Sequence, residues 1–214
     1  KADTNAQVVD FADVVFLAVK PQFLEEVLDE IKDNVKEGQI FISIAPGKTL
    51  QWLGEHLGEG TKIIRTMPNT PAMVGEGMTA LCVNEQVTEK ETLLAVTLCN
   101  TFGKTEVIPE RLMDAVVGVS GSSPAYVFMF LEAMADAAVA DGMPRAQAYK
   151  FAAQAVLGSA KLMLETGKHP GELKDMVCSP AGTTIQAVRV LEEKGLRSAV
   201  IEAQLECVKK AKGM

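Results

Sequence analysis

VVFLAVKPQFLEEVLDEIKDNVKEGQIFISIAPG, residues 14–47, has the periodicity of a strand, a helix and a second strand. Its two continuous apolar runs, residues 14–19 and 40–45, are typical of strands buried on both faces of a parallel sheet. The segment between them opens with Pro21, which favours a first helical turn, and spaces its apolar residues along one face. Residues 14–47 therefore predict a βαβ unit.

The alternation continues as far as Pro109 and then stops. Further strands are predicted at residues 62–66, 78–83 and 104–109, and further helices at 51–57 and 88–102. This pattern predicts a Rossmann-like, doubly wound α/β sheet over residues 1–109. Residues 110–214 hold no convincing strand and predict an all-α domain, with helices at about 110–118, 124–141, 144–166, 170–177, 183–194 and 197–211.

Composition and charge exclude several classes of partner. The net charge is -7 and the pI is near 5.0, so no basic face for nucleic acid or an anionic membrane is expected. We find no apolar run of about 18 residues that would span a bilayer. The four cysteines stand far apart and there are only two histidines. This argues against a metal site and favours reduced thiols in the cytoplasm.

One part of a dinucleotide fold is missing from the sequence. Such a fold opens with a strand, a G-x-G-x-x-G turn and an acidic or basic selector about 20 residues later. Gly75-Glu76-Gly77 lies between prolines and a strand, and residues 118–121 precede a helix without following a strand. We therefore expect a chain that lacks roughly the first 50 residues of its parent, judging from the size of the absent unit.

Small and turn residues follow the first three predicted strands. They are the candidate cofactor-binding residues Ala18, Lys20, Pro21, Ala45, Gly47 and Asn69. Ligands of an open α/β sheet bind outside the carboxyl ends of its strands, so these residues are expected to form the walls of a nucleotide crevice. The alternative that they belong to ordinary βα loops stays open, because any α/β protein has such loops.

The second candidate site lies in GELKDMVCSPAGTTIQAVRVLEEKG, residues 171–195. The sequence predicts a turn at residues 179–182, with special backbone angles set by its Pro and Gly, and a capping box at 183–186 that opens a helix. The N–H groups at a helix start favour an anion, so a substrate carboxylate could dock on Gly182 and Thr183. The Thr184 hydroxyl is the candidate catalytic group and Ser179 a further substrate contact. An ordinary capped helix is the alternative.

The chain resembles the pyrroline-5-carboxylate reductase family over its whole length. The residues that carry this resemblance lie in four stretches, namely residues 18–21 (AVKP), 67–71 (MPNTP), 120–126 (SGSSPAY) and the pattern within 173–191. The resemblance implies hydride transfer from NADPH or NADH to the C=N bond of 1-pyrroline-5-carboxylate, giving L-proline. It also implies that the Thr184 hydroxyl lies near the imine nitrogen. Ser123 stands where the family usually has Gly, and Pro46 where Ala is common.

The apolar helix predicted at residues 124–141 favours burial on more than one side. We expect an obligate interface between subunits, and the resemblance implies a homodimer or higher homo-oligomer through intertwined C-terminal helices. Two other functions stay open. A related hydroxyacid-type dehydrogenase would be expected to carry a lysine and an asparagine on this helix, which has neither. A non-catalytic nucleotide-binding or oligomerisation protein would fit the missing phosphate turn. Cys178 is read as a small buried residue rather than a nucleophile.

Overall fold

The structure is a computed structural model that describes residues 1–213, and its backbone divides into two compact units. The first unit comprises residues 1–124 and the described residues from Leu205 onward, and the second comprises residues 125–204. The predicted domain boundary at residue 109 falls before the point where the first unit ends. Helical segments run through residues 110–124 into the second unit. Residues 110–124 are grouped with the sheet because of their backbone contacts.

A five-stranded sheet organises the first unit, with the strands in the order β1-β2-β3-β4-β5. The strands are β1 (Val14–Leu17), β2 (Ile40–Ser43), β3 (Lys62–Met67), β4 (Gly77–Val83) and β5 (Gly103–Val107). β1, β2 and β3 pair in parallel, as the βαβ pattern predicts. β4 runs antiparallel to β3 and parallel to β5. The predicted α/β sheet is confirmed, and it is mixed rather than fully parallel.

The link from β3 to β4 explains the reversal. It contains only a short 3-10 turn, Thr70–Val74, and then returns to the sheet. A parallel connection needs a crossover of about a dozen residues or more, usually with a helix, so a link this short leaves the antiparallel arrangement.

The α-helices that precede or connect the described strands are α1 (Asn5–Phe11), α2 (Pro21–Ile31), α3 (Leu50–Leu57) and α4 (Glu89–Cys99). The sequence interpretation did not include α1, whose seven residues bury only Val9. α2 packs Leu24, Leu28 and Ile31 into a core that also holds Phe41 of β2. A second core forms around Ile42, Ile64 and Ala95, and contains residues of α4.

The expectation that β1 is buried on both faces is wrong. Val15 and Leu17 are buried, whereas the side chain of Phe16 between them is 44% exposed. The reason is that the described residues cover only one face of β1: Val15 and Leu17 pack into the core with α2, whereas Phe16 lines an open groove on the other face. A strand covered on one face shows the alternating burial that β1 has.

Residues 110–140 form one continuous helical run. It comprises a 3-10 turn (Glu110–Leu112), α5 (Met113–Val116), a π-helical segment (Val117–Gly121) and α6 (Ser123–Ala140). The proposed caps at Ser122 and Ser123 are wrong. The hydroxyl of Ser123 donates 2.8 Å to the carbonyl of Val119 in the preceding turn, so it does not cap a new helix.

Because the break is absent, the run Glu110–Ala140 is long and apolar enough to cross a membrane by length and composition. This corrects our expectation from the sequence. It is the one such helix among residues 1–213, and only 6% of its most apolar window is buried. A single helix of this kind is weak evidence for a membrane span, because helices of soluble proteins pass the same test.

The second unit is helical, as predicted. It contains most of α6, then α7 (Arg145–Thr166), α8 (Pro170–Val177), α9 (Thr183–Glu193) and the first part of α10 (Leu196–Lys212). Many of its large apolar side chains are exposed. On α6 and α7 they include Val127, Phe128, Met129, Phe130, Phe151, Leu157 and Leu164.

Candidate functional site

The carboxyl ends of β1, β2 and β3 bring most of the predicted cofactor residues to one edge of the sheet. Parallel pairing aligns Leu17 with Ser43, so the residues that follow these strands leave the sheet side by side. Ala18 and Lys20 are exposed. Ala45 is only 2% exposed as a whole residue, so it packs beneath this edge and lies at its surface less than Ala18 or Lys20 does.

The start of α2 is open to a ligand. Lys20 is its N-cap residue and makes no side-chain capping bond, while Pro21 occupies the first turn. The positive end of a helix with no acceptor at its cap favours an anionic group. Gly47 reaches φ 77, a left-handed conformation that favours glycine, and so turns the chain between β2 and α3. These features fit a phosphate-bearing cofactor at this edge.

Asn69 has a structural role that the sequence did not indicate. Its side-chain Oδ1 accepts 2.8 Å from the N–H of Met78, and its Nδ2 donates 3.1 Å to the carbonyl of Ser120. The side chain thus joins the end of β3 to the start of β4 and to the π-helical segment. Asn69 also lines an open groove of about 590 Å³ with Phe16 and Ile44. A cofactor contact at Asn69 would therefore use a residue held by three elements.

The predicted turn at residues 179–182 is present, but the roles of its residues differ from those expected. The N–H of Gly182 donates 3.0 Å to the carbonyl of Ser179, which closes the turn. The left-handed residue is Ala181, at φ 57, whereas Gly182 has φ -72 and ψ 172. The expectation that Gly182 supplies the special backbone angle is wrong. Glycine is needed there for space, because a Cβ would lie 2.3 Å from the Ser179 hydroxyl oxygen.

The predicted capping box at residues 183–186 is also wrong. α9 begins at Thr183 with the extended Gly182 as its N-cap, so Thr183 is the first helical residue and not the cap. Gln186 then falls one position too late to reach back to the cap. No side chain caps α9. Since the Gly182 N–H serves the turn, the donors left for an anion are the N–H groups of the first helical residues, from Thr183 onward.

Thr184 lies in the first turn of α9 and is half-buried, while Thr183 and Ser179 are exposed. The α9 start, the Ser179 turn and the Thr184 hydroxyl are adjacent in the chain and belong to the second unit. The predicted cofactor residues belong to the first unit. The structure therefore brings the predicted residues together in two groups.

The surroundings of Cys82 and His169 are defined in the structure. No group of three or more His, Cys, Asp or Glu side chains among residues 1–213 could hold a metal ion. Burial raises the pKa of Cys82 to about 12; the nearby Glu110 charge adds to this rise, and Arg65 opposes it. The raised pKa keeps this thiol protonated. His169 was read as a solvated loop residue. Its Nδ1 accepts 3.1 Å from the N–H of Gly171, so it caps α8.

Comparison with known proteins connects both groups to one enzyme family. Residues 110–214 match the model of the pyrroline-5-carboxylate reductase dimerisation family, and residues 1–47 match that of the coenzyme F420-dependent NADP oxidoreductases. The pyrroline-5-carboxylate reductase of Escherichia coli is 59% identical over 98% of this chain and 78% of its own length. The chain belongs to the pyrroline-5-carboxylate reductase family.

Solved structures agree with the assignment. The reductase of Coxiella burnetii superposes with a TM-score of 0.93 at 38% identity, covering 99% of this chain and 79% of its own. The reductase of Plasmodium falciparum, solved with NADP bound, gives 0.92 at 31% identity, covering 99% and 80%.

The chain is thus an NAD(P)H-dependent oxidoreductase that acts on a CH–NH bond and forms L-proline in the final step of its biosynthesis. It is a homo-oligomer acting on a small molecule. The hydroxyacid-type dehydrogenase and the non-catalytic protein that the sequence left open are set aside by this identity. As a pyrroline-5-carboxylate reductase, the chain needs neither a metal nor a general-base histidine of its own, because the cofactor carries the hydride chemistry.

Sequence reasoning missed one group beside the cofactor edge. Arg65 and Glu110 form a 2.9 Å ion pair, and Arg65 is only 6% exposed. The only signal in the sequence was an arginine inside an otherwise apolar strand, which marks a buried charge that needs a partner.

Proposed function

We propose that the second unit of the chain binds 1-pyrroline-5-carboxylate at the start of α9. The observation that carries this proposal is the uncapped N-terminus of α9 behind the turn at residues 179–182. N–H groups from Thr183 onward would hold the carboxylate, aided by the helix dipole. Ser179 borders the turn, and the lack of a Cβ at Gly182 leaves room for the Ser179 hydroxyl in front of α9.

In this proposal Thr184 is the catalytic residue. A bound nicotinamide would supply the hydride to the C=N carbon, and the ring nitrogen would take its proton from solvent, in part before the substrate binds. The ring nitrogen then gains electron density, and a hydroxyl held against it donates a hydrogen bond that strengthens along the reaction. Thr184 is suited to this role because the first turn of α9 fixes its backbone and leaves its side chain half-buried.

The cofactor, NADPH or NADH, is assigned to the first unit. Ala18, Lys20 and Pro21 would receive it at the open start of α2, and Ala45 and Gly47 at the end of β2. Asn69 would border the groove beside them. We place the functional boundary at residue 109, because the match to the dimerisation family begins at residue 110.

We also propose that the homo-oligomer is built on a dimer formed by the C-terminal helices. The apolar side chains of α6 would then face a second copy of the chain rather than a membrane. A net charge of -7 gives no reason to expect nucleic acid as a partner. All four cysteines are free thiols, which supports a cytoplasmic location.

A steady-state assay of NADPH or NADH oxidation with 1-pyrroline-5-carboxylate, read together with proline formation, tests the assignment. Lys20→Ala should raise the KM for the cofactor alone, and Ser179→Ala should raise the KM for 1-pyrroline-5-carboxylate alone. The opposite pattern would show that the two groups of residues have been assigned to the wrong ligands.

A further inference from the structure

A single carboxylate oxygen connects the start of α3 to a buried arginine. Glu110 Oε1 accepts 2.7 Å from the N–H of Leu50 and 2.9 Å from Nη1 of Arg65. Glu110 is the first residue of the 3-10 turn that follows β5, and it lies 60 positions from Leu50 in the sequence. Three separate parts of the first unit therefore meet at one atom.

The bond to Leu50 fixes where α3 begins. Leu50 is the first helical residue, so its N–H has no acceptor within the helix. A carboxylate at this position satisfies that donor and also interacts favourably with the helix dipole. The N-cap Thr49 separately accepts 3.0 Å from the N–H of Trp52. Two acceptors thus define the first turn of α3, and one of them comes from outside the helix.

The loop before α3 connects the first turn of this helix to the proposed cofactor edge at the end of β2. Residues 45–49 link β2 to α3, and Pro46 stiffens them. At one end the N–H of Ala45 donates 3.3 Å to the hydroxyl of Ser43 in β2. At the other end Nζ of Lys48 lies 3.8 Å from the centre of the Trp52 ring in α3. A shift in the first turn of α3 would therefore move Gly47.

The ion pair of Glu110 with Arg65 is poorly solvated at its Arg65 end, whereas the Glu110 side chain is 32% exposed. Arg65 is 6% exposed, and Cys82, its direct partner across β3 and β4, is 4% exposed. Electrostatic interactions are stronger where water is excluded, so the arginine holds the carboxylate in one orientation. The pKa of Cys82 responds to both charges, as described above.

We propose that Glu110 is a positioning residue for the cofactor, acting through the N–H of Leu50 on the loop of residues 45–49. This inference rests on the proposed function, which assigns Ala45 and Gly47 to the cofactor. Glu110 touches neither ligand in this account. Its effect is to set the place of the loop, so it should change the affinity for NADPH and not the chemistry at the substrate.

The test uses the full-length enzyme and a matched pair of substitutions, Leu50→Pro and Leu50→Ala. Proline is favoured at the first helical position, and it removes the N–H that donates to Glu110 together with the leucine side chain. The extended Thr49, at ψ 162, is compatible with a following proline. Leu50→Ala loses the apolar side chain but keeps the N–H, so it controls for packing.

We expect Leu50→Pro to raise the KM for NADPH on the order of 10-fold above that of Leu50→Ala, since a hydrogen bond to a charged group is lost. The kcat at saturating NADPH and the KM for 1-pyrroline-5-carboxylate should match in the two variants. Equal KM values for NADPH in two folded variants would overturn the inference.

A second variant covers the case in which Leu50→Pro fails to fold. The double substitution Arg65→Met with Glu110→Leu removes the acceptor and leaves no unpaired buried charge, a replacement that is often tolerated. It should raise the KM for NADPH in the same way, and an unchanged KM would count against the inference. Lys20→Ala distinguishes a failure of the positioning role of Glu110 from a failure of the proposed cofactor site. If it raises the KM for NADPH while the Glu110 variants do not, only the positioning role fails; if it has no effect, the proposed cofactor site fails.

Discussion

Gly182 and Ser179 approach so closely that a side chain at residue 182 would collide with Ser179. A Cβ at Gly182 would lie 2.3 Å from the hydroxyl oxygen of Ser179 and 3.1 Å from its carbonyl oxygen. The same two residues close the turn through a 3.0 Å backbone bond. Any substituent at residue 182 must therefore displace the Ser179 hydroxyl or open the turn in front of α9.

Gly182→Ala should raise the KM for 1-pyrroline-5-carboxylate on the order of 10-fold and leave the KM for NADPH unchanged. Opening the turn moves the first N–H groups of α9 away from the carboxylate, and a lost charge-assisted bond has about this value. Steady-state kinetics with each ligand varied in turn measure both constants.

Gly158→Ala is the matched control for this substitution. Gly158 lies inside α7, and a Cβ there has nothing within 4 Å. Alanine is the better helix former, so this variant should be at least as stable as the wild type and kinetically silent. A Gly182→Ala enzyme with wild-type constants would remove the turn from the substrate site.

Phe128→Asp should dissociate the oligomer. Phe128 is 64% exposed on α6, and the proposed dimer would bury it, so an aspartate would leave an unpaired charge in the interface. Leu93→Asp is the control, because Leu93 is 65% exposed on α4, outside the dimerisation region. Sedimentation velocity should show a smaller species for the first variant alone. An unchanged oligomer in Phe128→Asp would place the interface elsewhere.

Ala135 is not suited to this experiment, although it lies on the same apolar helix. It is 0% exposed within the protomer. A charge there would disrupt the packing of the subunit itself, and loss of the oligomer would then report unfolding instead of the interface.

Glu91 should make the fold sensitive to acid. Its carboxylate accepts 2.5 Å from Lys62 and 2.9 Å from the N–H of Thr88, which together lower its pKa from 4.5 to about 2. A lowered folded-state pKa contributes stability above pH 4.5, and this contribution is lost as the pH falls towards 2. The Tm difference between wild type and Glu91→Gln should therefore be largest near neutral pH and shrink below pH 4.5. A constant difference across this range would show that the carboxylate charge does not stabilise α4.

The α/β class, the strands and most helix bounds could be predicted because they follow from local periodicity. Residues 14–47 contain their whole βαβ pattern, and the pairing of β1 with β2 follows from it. The errors fall where a position depends on neighbours that are distant in sequence. The exposure of Phe16 depends on which elements cover that face of β1, and these are distant in the sequence. The helical run through Val117–Gly121 is a local exception, because the Ser123 hydroxyl bonds to the carbonyl of Val119 four residues earlier.

The candidate sites also combine local features, which the sequence predicts, with contacts between distant residues, which it does not. The turn before α9 was predicted from its Pro and Gly, but the capping position was one residue off. A Thr-Thr pair after a glycine offers three possible caps, and only the backbone geometry of Gly182 decides between them. The bonds of Asn69 to Ser120 and of Glu110 to Arg65 join residues 51 and 45 positions apart, a distance over which no sequence pattern operates.

The role of Thr184 is the central claim, and the kcat of Thr184→Val tests it most directly. Valine keeps the shape and removes the hydroxyl, while Thr184→Ser keeps the hydroxyl and serves as the control. Positioned proton donors contribute about 10² to 10⁴ in rate, and we expect the lower end or less, because the imine is basic enough to arrive partly protonated. Thr184→Val should lower kcat with little change in the KM for NADPH, and Thr184→Ser should retain much of the rate. A Thr184→Val enzyme with the kcat and kcat/KM of the wild type would contradict the assignment.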